Sequence, residues 1–187
     1  MKLVARSSST RIDQTQLNHT DFAAVRLRFN NFMVSSIGLD PTGVCRLSMS
    51  KILFEWCRAF EAGELAAVAN TISDSDFLFV ATNLPNPLEK AEWIGFIKIL
   101  FDAAPDLSFG WTPNGQNGMD YRIGGTHTET LCMSSLGMAD FKATGRSFRL
   151  PVDTYHFTQA NGKITRIDVD PPDGAGLGGI LAQLELV

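Results

Sequence analysis

Four side chains near the C-terminal end have the types needed for proton transfer: His156, Arg166, Asp168 and Asp170. They sit in two runs, Thr154-Tyr155-His156-Phe157-Thr158 and Ile164-Thr165-Arg166-Ile167-Asp168-Val169-Asp170, separated by Asn161-Gly162. A carboxylate and an imidazole on one strand face can act as general base and general acid. Which side chains share a face depends on the turn. A two-residue loop at Asn161-Gly162 pairs Ala160 with Lys163 and sets His156 opposite Ile167, with the aspartates on the other face. A three-residue loop, with Gly162 as a left-handed bulge residue, sets His156 opposite Arg166, Thr154 opposite Asp168 and Val152 opposite Asp170. The second register is the one expected. Its polar face is expected to line a pocket, with Thr165, Ile167 and Val169 forming an outer or dimer surface; a polar face turned to solvent is the alternative.

Other motifs carry less. Gly174-Ala175-Gly176-Leu177-Gly178-Gly179 fits GxGxxG. Only eight residues follow it, however, leaving no room for a crossover helix, a second strand and a ribose-binding acid. A glycine-rich turn into a short C-terminal helix is expected instead. His127-Thr128-Glu129 matches the HxE of zinc deaminases without the PCxxC partner. His19, His127 and His156 are far apart in sequence and no cysteine pair accompanies them, so neither a metal nor another cofactor is expected. Cys45, Cys57 and Cys132 read as reduced thiols, not as a disulfide framework.

The elements that must hold the hairpin are legible as helices first and strands after. Ile52, Leu53, Trp56, Cys57 and Phe60 recur at helical spacing and Gly63 ends the run. Leu65, Val68, Ala69 and Ile72 suggest a second short helix, and Phe77-Leu78-Phe79-Val80 a buried strand. Asn86-Pro87-Leu88-Glu89 reads as a helix start, with Asn86 as cap, Pro87 in the first turn and Glu89 completing a capping box. The helix it opens buries Ile94, Ile97, Phe101 and Ala104 and ends at Pro105. From there the period is two, with strands expected over 107–112, 119–130, 141–150, 151–160 and 163–170. This order predicts an α+β fold, a curved antiparallel sheet wrapped by N-terminal helices around a central pocket.

The 187 residues suit one domain, taken as 48–187, preceded by a Ser/Asn/Thr-rich extension over 1–47 that is either partly docked or disordered. A net charge of −4 without a basic stripe argues against nucleic acid as a partner. The longest apolar stretch, around Trp93–Ala104, is broken by Lys98 and Asp102 and is too short for a bilayer. A cytoplasmic location is expected. Lys2, Arg6 and Arg11 among serines leave organellar targeting open.

Six segments in order extend this reading: Phe60-Glu61-Ala62-Gly63-Glu64-Leu65, Ala103-Ala104-Pro105-Asp106-Leu107-Ser108-Phe109, Gly125-Thr126-His127-Thr128, Ala143-Thr144-Gly145-Arg146, Asn161-Gly162-Lys163-Ile164 and Ile180-Leu181-Ala182-Gln183-Leu184. Together they resemble SnoaL-like polyketide cyclases of the nuclear transport factor 2-like superfamily, over about residues 50–186. The resemblance implies a cone-shaped α+β fold with a deep pocket. It also implies an aspartate on the last strand driving an intramolecular aldol condensation, assisted by a histidine on the preceding strand; by spacing these match Asp170 and His156. Departures occur where the family has Glu-His-Trp and this chain has Arg166-Ile167-Asp168, and where Glu129 follows Gly-Thr-His-Thr.

In a pocket lined by Trp111, Phe79, Phe96 and Tyr121, a desolvated Asp170 would become a base near neutral pH. It would remove a proton α to a ketone or ester, while His156 holds or protonates the carbonyl oxygen. Asp168, paired with Arg166, and His127 at the pocket mouth complete the candidate set. An epoxide-hydrolase-like set of Arg166, Asp168 and Asp170 is disfavoured, because all three lie on one strand. The expected function is a cofactor-independent cyclase, or a related lyase or isomerase, acting on a hydrophobic carbonyl compound. The alternative is a non-catalytic small-molecule-binding or dimeric module of the same fold, with a homodimer formed through the sheet.

Overall fold

The computed structural model describes residues 49–187. The expectations for the 1–47 extension, Cys45 and His19 fall outside these described residues. Helix α1 spans Lys51–Glu61 and is capped by Ser50, whose Oγ accepts the Leu53 N–H at 3.4 Å. Leu53, Trp56, Cys57 and Phe60 fall three or four residues apart and are buried together. Gly63, at φ +70°, lets the chain turn directly into α2 (Leu65–Thr71). Strand β1 (Leu78–Ala81) and the two-residue β2 (Leu88–Glu89) are antiparallel neighbours.

Helix α3 (Lys90–Ala103) begins later than expected. Glu89 is its N-cap and Glu92 its third residue, and these two carboxylates satisfy each other's backbone N–H groups in a reciprocal capping box. Pro87 and Leu88 lie before the helix because Leu88 is held opposite Phe79 in the sheet. Trp93, Ile97, Leu100 and Ala103 are the inward face of α3, while Phe96 is half-buried beside it.

The remaining strands are β3 (Thr112–Pro113), β4 (Gly118–Tyr121), β5 (Gly124–Thr126), β6 (Ser147–Arg149), β7 (Asp153–Ala160) and β8 (Lys163–Val169), followed by α4 (Gly176–Gln183). The main sheet runs β2-β1-β8-β7-β4-β3. All its pairs are antiparallel except β1 with β8, which is parallel. The β5–β6 ribbon continues β4 and β7, so this pair bends as one long ribbon around the helices. The sheet is curved and unclosed, with α1 packed on β8, α3 on β1 and α4 on β6 of the ribbon. The fold is the expected α+β cone.

The β7–β8 hairpin follows neither expected register. Asn161 and Gly162, at φ +52° and +70°, make a two-residue turn that pairs Ala160 with Lys163. A bulge then inserts Thr165 between Ile164, opposite Gln159, and Arg166, opposite Thr158. Beyond it His156 faces Asp168, and Phe157 faces Ile167. The bulge therefore lies inside the strand and not at the turn.

The core is strongly aromatic. Trp56, Phe60, Trp93, Phe109, Trp111 and Phe157 are each 4% exposed or less, which leaves the cone interior to rings. At the far end, α4 packs on β6, and within the same segment Gly179 stands directly over Gly174 in the turn that leads into the helix. A Cβ built on Gly179 would stand 1.9 Å from the Gly174 carbonyl oxygen, so no larger residue fits without movement.

Candidate acid–base site

Alternation along β7 decides which side chains enter the cone. Asp153, Tyr155 and Phe157 point inward and are buried; Thr154 is half-buried, and His156 and Thr158 are exposed on the outer face. On β8 the inward set is Ile164, Ile167 and Val169, all 4% exposed or less. The expected assignment of faces is thus reversed. Ile167 and Val169 are core, because a sheet wrapped around aromatic helices must turn its apolar parity inward. His156, Arg166, Asp168 and Asp170 share the outer parity.

On that outer face, Arg166 donates from Nε to both Asp168 oxygens at 2.8 Å. Both side chains are about 40% exposed, so the pair contributes roughly 0–1 kcal/mol. Asp168 holds the Arg166 guanidinium above its ordinary range by this bond. Asp170 is exposed and accepts the Thr82 hydroxyl at 2.6 Å. Its side chain therefore lies outside the aromatic interior. The structure therefore brings His156 and Asp168 together across the hairpin, but on the solvent side and not in a dry hollow.

The inner face holds a different constellation. Asp153, 7% exposed, accepts the Tyr121 hydroxyl through Oδ2 at 2.8 Å. Its Oδ1 takes the backbone N–H of Thr154 at 2.7 Å. The pairing of Tyr121 with Asp153 across β4 and β7 sets this contact by register. Tyr155 lies beside them, its ring centroid 4.4 Å from that of Tyr121. Burial raises the Tyr121 phenol well above its ordinary value, helped by Tyr155 and by the neighbouring Asp153 carboxylate. Burial likewise raises Tyr155. Both phenols are consequently protonated donors throughout the neutral range.

Three of the expected lining residues belong to this interior. Trp111 stands 5.1 Å from Tyr121 and 5.5 Å from Tyr155 between ring centroids. Phe79 packs edge-on against Tyr155 at 5.7 Å. Phe96 flanks the core from α3 and is only half-buried. His127 is buried at the end of β5, where Nδ1 lies 3.2 Å from the Thr144 hydroxyl and Nε2 has no protein partner. Burial lowers its pKa, which keeps the ring neutral. Among the described residues, no cluster of three His, Cys, Asp or Glu side chains has metal-binding geometry. Nor is any described helix long and apolar enough to cross a membrane.

Asp153 and Tyr155 were missed by sequence reasoning. The usable signal was parity: Asp153 shares its strand face with Tyr155 and Phe157, the two most apolar positions of β7. An acid in that register enters the core wherever those rings do.

Comparison with known proteins identifies the fold. No family model and no curated protein matches the chain. Solved structures do. AclR of Streptomyces galilaeus, a candidate hydroxylase, superimposes with a TM-score of 0.55 at 15% identity, covering 73% of this chain and 94% of its own. A candidate SnoaL-like polyketide cyclase from Jannaschia sp. CCS1 gives 0.53 at 17% identity, covering 80% and 99%. IdmH of Streptomyces antibioticus, a candidate polyketide cyclase, gives 0.51 at 18% identity, covering 72% and 96%. The chain has the cone fold of SnoaL-like polyketide cyclases and ketosteroid isomerase-like proteins.

Proposed function

We propose that this cone-fold chain is a cofactor-independent acid–base catalyst, a cyclase, lyase or isomerase acting on a hydrophobic carbonyl compound within the concave interior. One observation carries the reading: a buried carboxylate, Asp153, held at 2.8 Å by the Tyr121 hydroxyl amid aromatic rings. Tyr121 fixes the orientation of the carboxylate. Asp153 removes a proton α to the substrate carbonyl, and the Tyr155 hydroxyl donates to the carbonyl oxygen as it gains negative charge. The rings exclude water and orient a flexible chain for ring closure or a double-bond shift. Fold likeness to named cyclases supports the reaction class, and the interior chemistry supports its location.

The test is deuterium uptake at the methyl group of 2-acetylnaphthalene in D2O, followed by proton NMR. The protein should accelerate exchange over buffer, and Asp153→Asn should remove most of that acceleration while keeping the circular-dichroism spectrum. Exchange no faster than buffer, or unchanged in the variant, refutes the proposal. The aromatic character of the interior around Trp111, Phe79 and Tyr121 supports a second reading, a carrier for apolar carbonyl compounds. A carrier would bind the ketone without accelerating exchange.

A further inference from the structure

A groove of about 540 Å³ opens between the end of α2, the turn before β1 and the start of α3. Its floor is apolar. Phe77 is buried there with its ring centroid 5.7 Å from that of Trp93, Ile94 is half-buried, and Leu78 is exposed. Its edge is acidic, with Asp74, Asp76 and Glu89 set against one base, Lys90. Lys90 is committed to Asp74, at 2.5 Å, and to the Ile72 carbonyl, at 3.2 Å. Asp76 has no ion pair among the described residues, and the Glu89 carboxylate is engaged by a backbone N–H of α3. The groove also adjoins β2, the outermost strand of the main sheet on that side. Apolar floor and acidic edge together fit a segment whose apolar side chains are interleaved with basic ones.

This chain carries such a segment. Residues 1–48 hold six Lys and Arg against three Asp, a formal +3, whereas residues 49–187 hold ten Lys and Arg against seventeen Asp and Glu, a formal −7. Within the basic part, Val25-Arg26-Leu27-Arg28-Phe29 alternates apolar and cationic side chains. The extension also joins the domain near the groove. Ser50 donates to Gln159 at 2.8 Å, Gln159 pairs with Ile164, and Ile164 is bridged to Ile72, two residues before Asp74. At about 5 Å per strand spacing, that path covers roughly 10–15 Å. The chain from Phe29 to Met49 can reach about 70 Å when extended, so the tether spans it easily. We propose that residues 25–29 occupy this groove in their own chain. Val25, Leu27 and Phe29 lie on the floor of Phe77, Leu78 and Ile94, and Arg26 and Arg28 pair with Asp76 and Glu89. Tethering raises the local concentration to about the millimolar range, so these few contacts suffice to hold the segment.

Limited chymotrypsin digestion of the full chain at low salt, read bond by bond by mass spectrometry, tests this. The bonds after Leu27 and Phe29 should be cut at least tenfold more slowly in the protein than in a free peptide of residues 20–34. Added salt should shrink that protection, because the ion pairs lie at the surface. Asp76→Arg should speed cleavage at both bonds at least fivefold with the circular-dichroism spectrum unchanged. Arg28→Asp, which leaves residues 49–187 untouched, should do the same. Combining the two reversals should bring the rate back to within twofold of wild type. Cleavage of the wild-type protein at the free-peptide rate overturns the proposal and leaves the groove to a basic partner from outside. Protection that neither reversal moves overturns it too, since the segment is then held elsewhere. Protection that fades on hundredfold dilution assigns the segment to the groove of a second copy, and overturns docking within one chain.

Discussion

Replacing Tyr121 with Phe deletes a single oxygen and leaves the ring contacts with Trp111 and Tyr155 in place. The lost bond runs from a phenol to a buried carboxylate at 2.8 Å. Hydrogen bonds to charged groups contribute roughly 1.5–3 kcal/mol, and the orphaned Oδ2 cannot recover water in a side chain only 7% exposed. Because Oδ1 keeps the Thr154 N–H, the middle of that range, about 2 kcal/mol, is the expected loss. A domain of about 140 residues unfolds with an entropy near 0.3 kcal/mol per degree, so Tm should fall by about 7 °C. The assay is thermal and urea unfolding followed by circular dichroism at pH 7, with the urea midpoint moving at constant slope. A double-mutant cycle with Asp153→Asn should give a coupling of about 1–2 kcal/mol, since the two side chains share one bond. A Tm within a degree of wild type, or a coupling near zero, would refute the claim that this contact organises the interior.

Two further outcomes follow from the same packing. Gly179→Ala should cost about 1–3 kcal/mol in urea unfolding, because the new methyl meets the Gly174 carbonyl oxygen on a packed helix; Gly178→Ala, with open space around it, should cost little or gain slightly. His127 is held neutral by burial, so its folded pKa lies below its unfolded one. The unfolded chain then takes up the proton first. Stability from the neutral ring is full above about pH 6.5 and is lost as pH falls from there to the folded value. A Tm-against-pH profile should bend downward in that window, and His127→Leu should flatten it.

Much of the fold was legible because it depends on periodicity over long segments. The 3-and-4 spacing from Leu53 to Phe60 and the alternation through β7 and β8 survive any exchange of neighbours. The faces of the hairpin were not legible, since they turn on one residue. The bulge at Thr165 adds a position inside β8, and no local preference at Thr165 announces it. Expectation had placed the extra residue at Gly162, where glycine makes a left-handed conformation easy, while the chain used Asn161 and Gly162 together for a two-residue turn. The start of α3 was misjudged for a related reason. Asn86-Pro87 is a sound local helix start, but pairing of Leu88 with Phe79 outweighed it. The candidate acid moved from Asp170 to Asp153 once the inner parity of β7 was known. Of the lining residues named from sequence, Trp111, Phe79 and Tyr121 needed only hydrophobicity to be placed inside.

The parallel partnership of β1 with β8 has a consequence for how the molecule comes to exist. Leu78 meets Arg166 across 88 positions of chain, and β8 sits between β1 and β7 near the middle of the sheet. During synthesis, everything through β7 emerges before the strand that must lie between them. Until then both neighbours expose unpaired backbone and the aromatic interior lacks one wall. Assembly is therefore a late, long-range event, slow in the manner of nonlocal topologies, and a ribosome stalled before Lys163 would release a fragment prone to stick to its own kind.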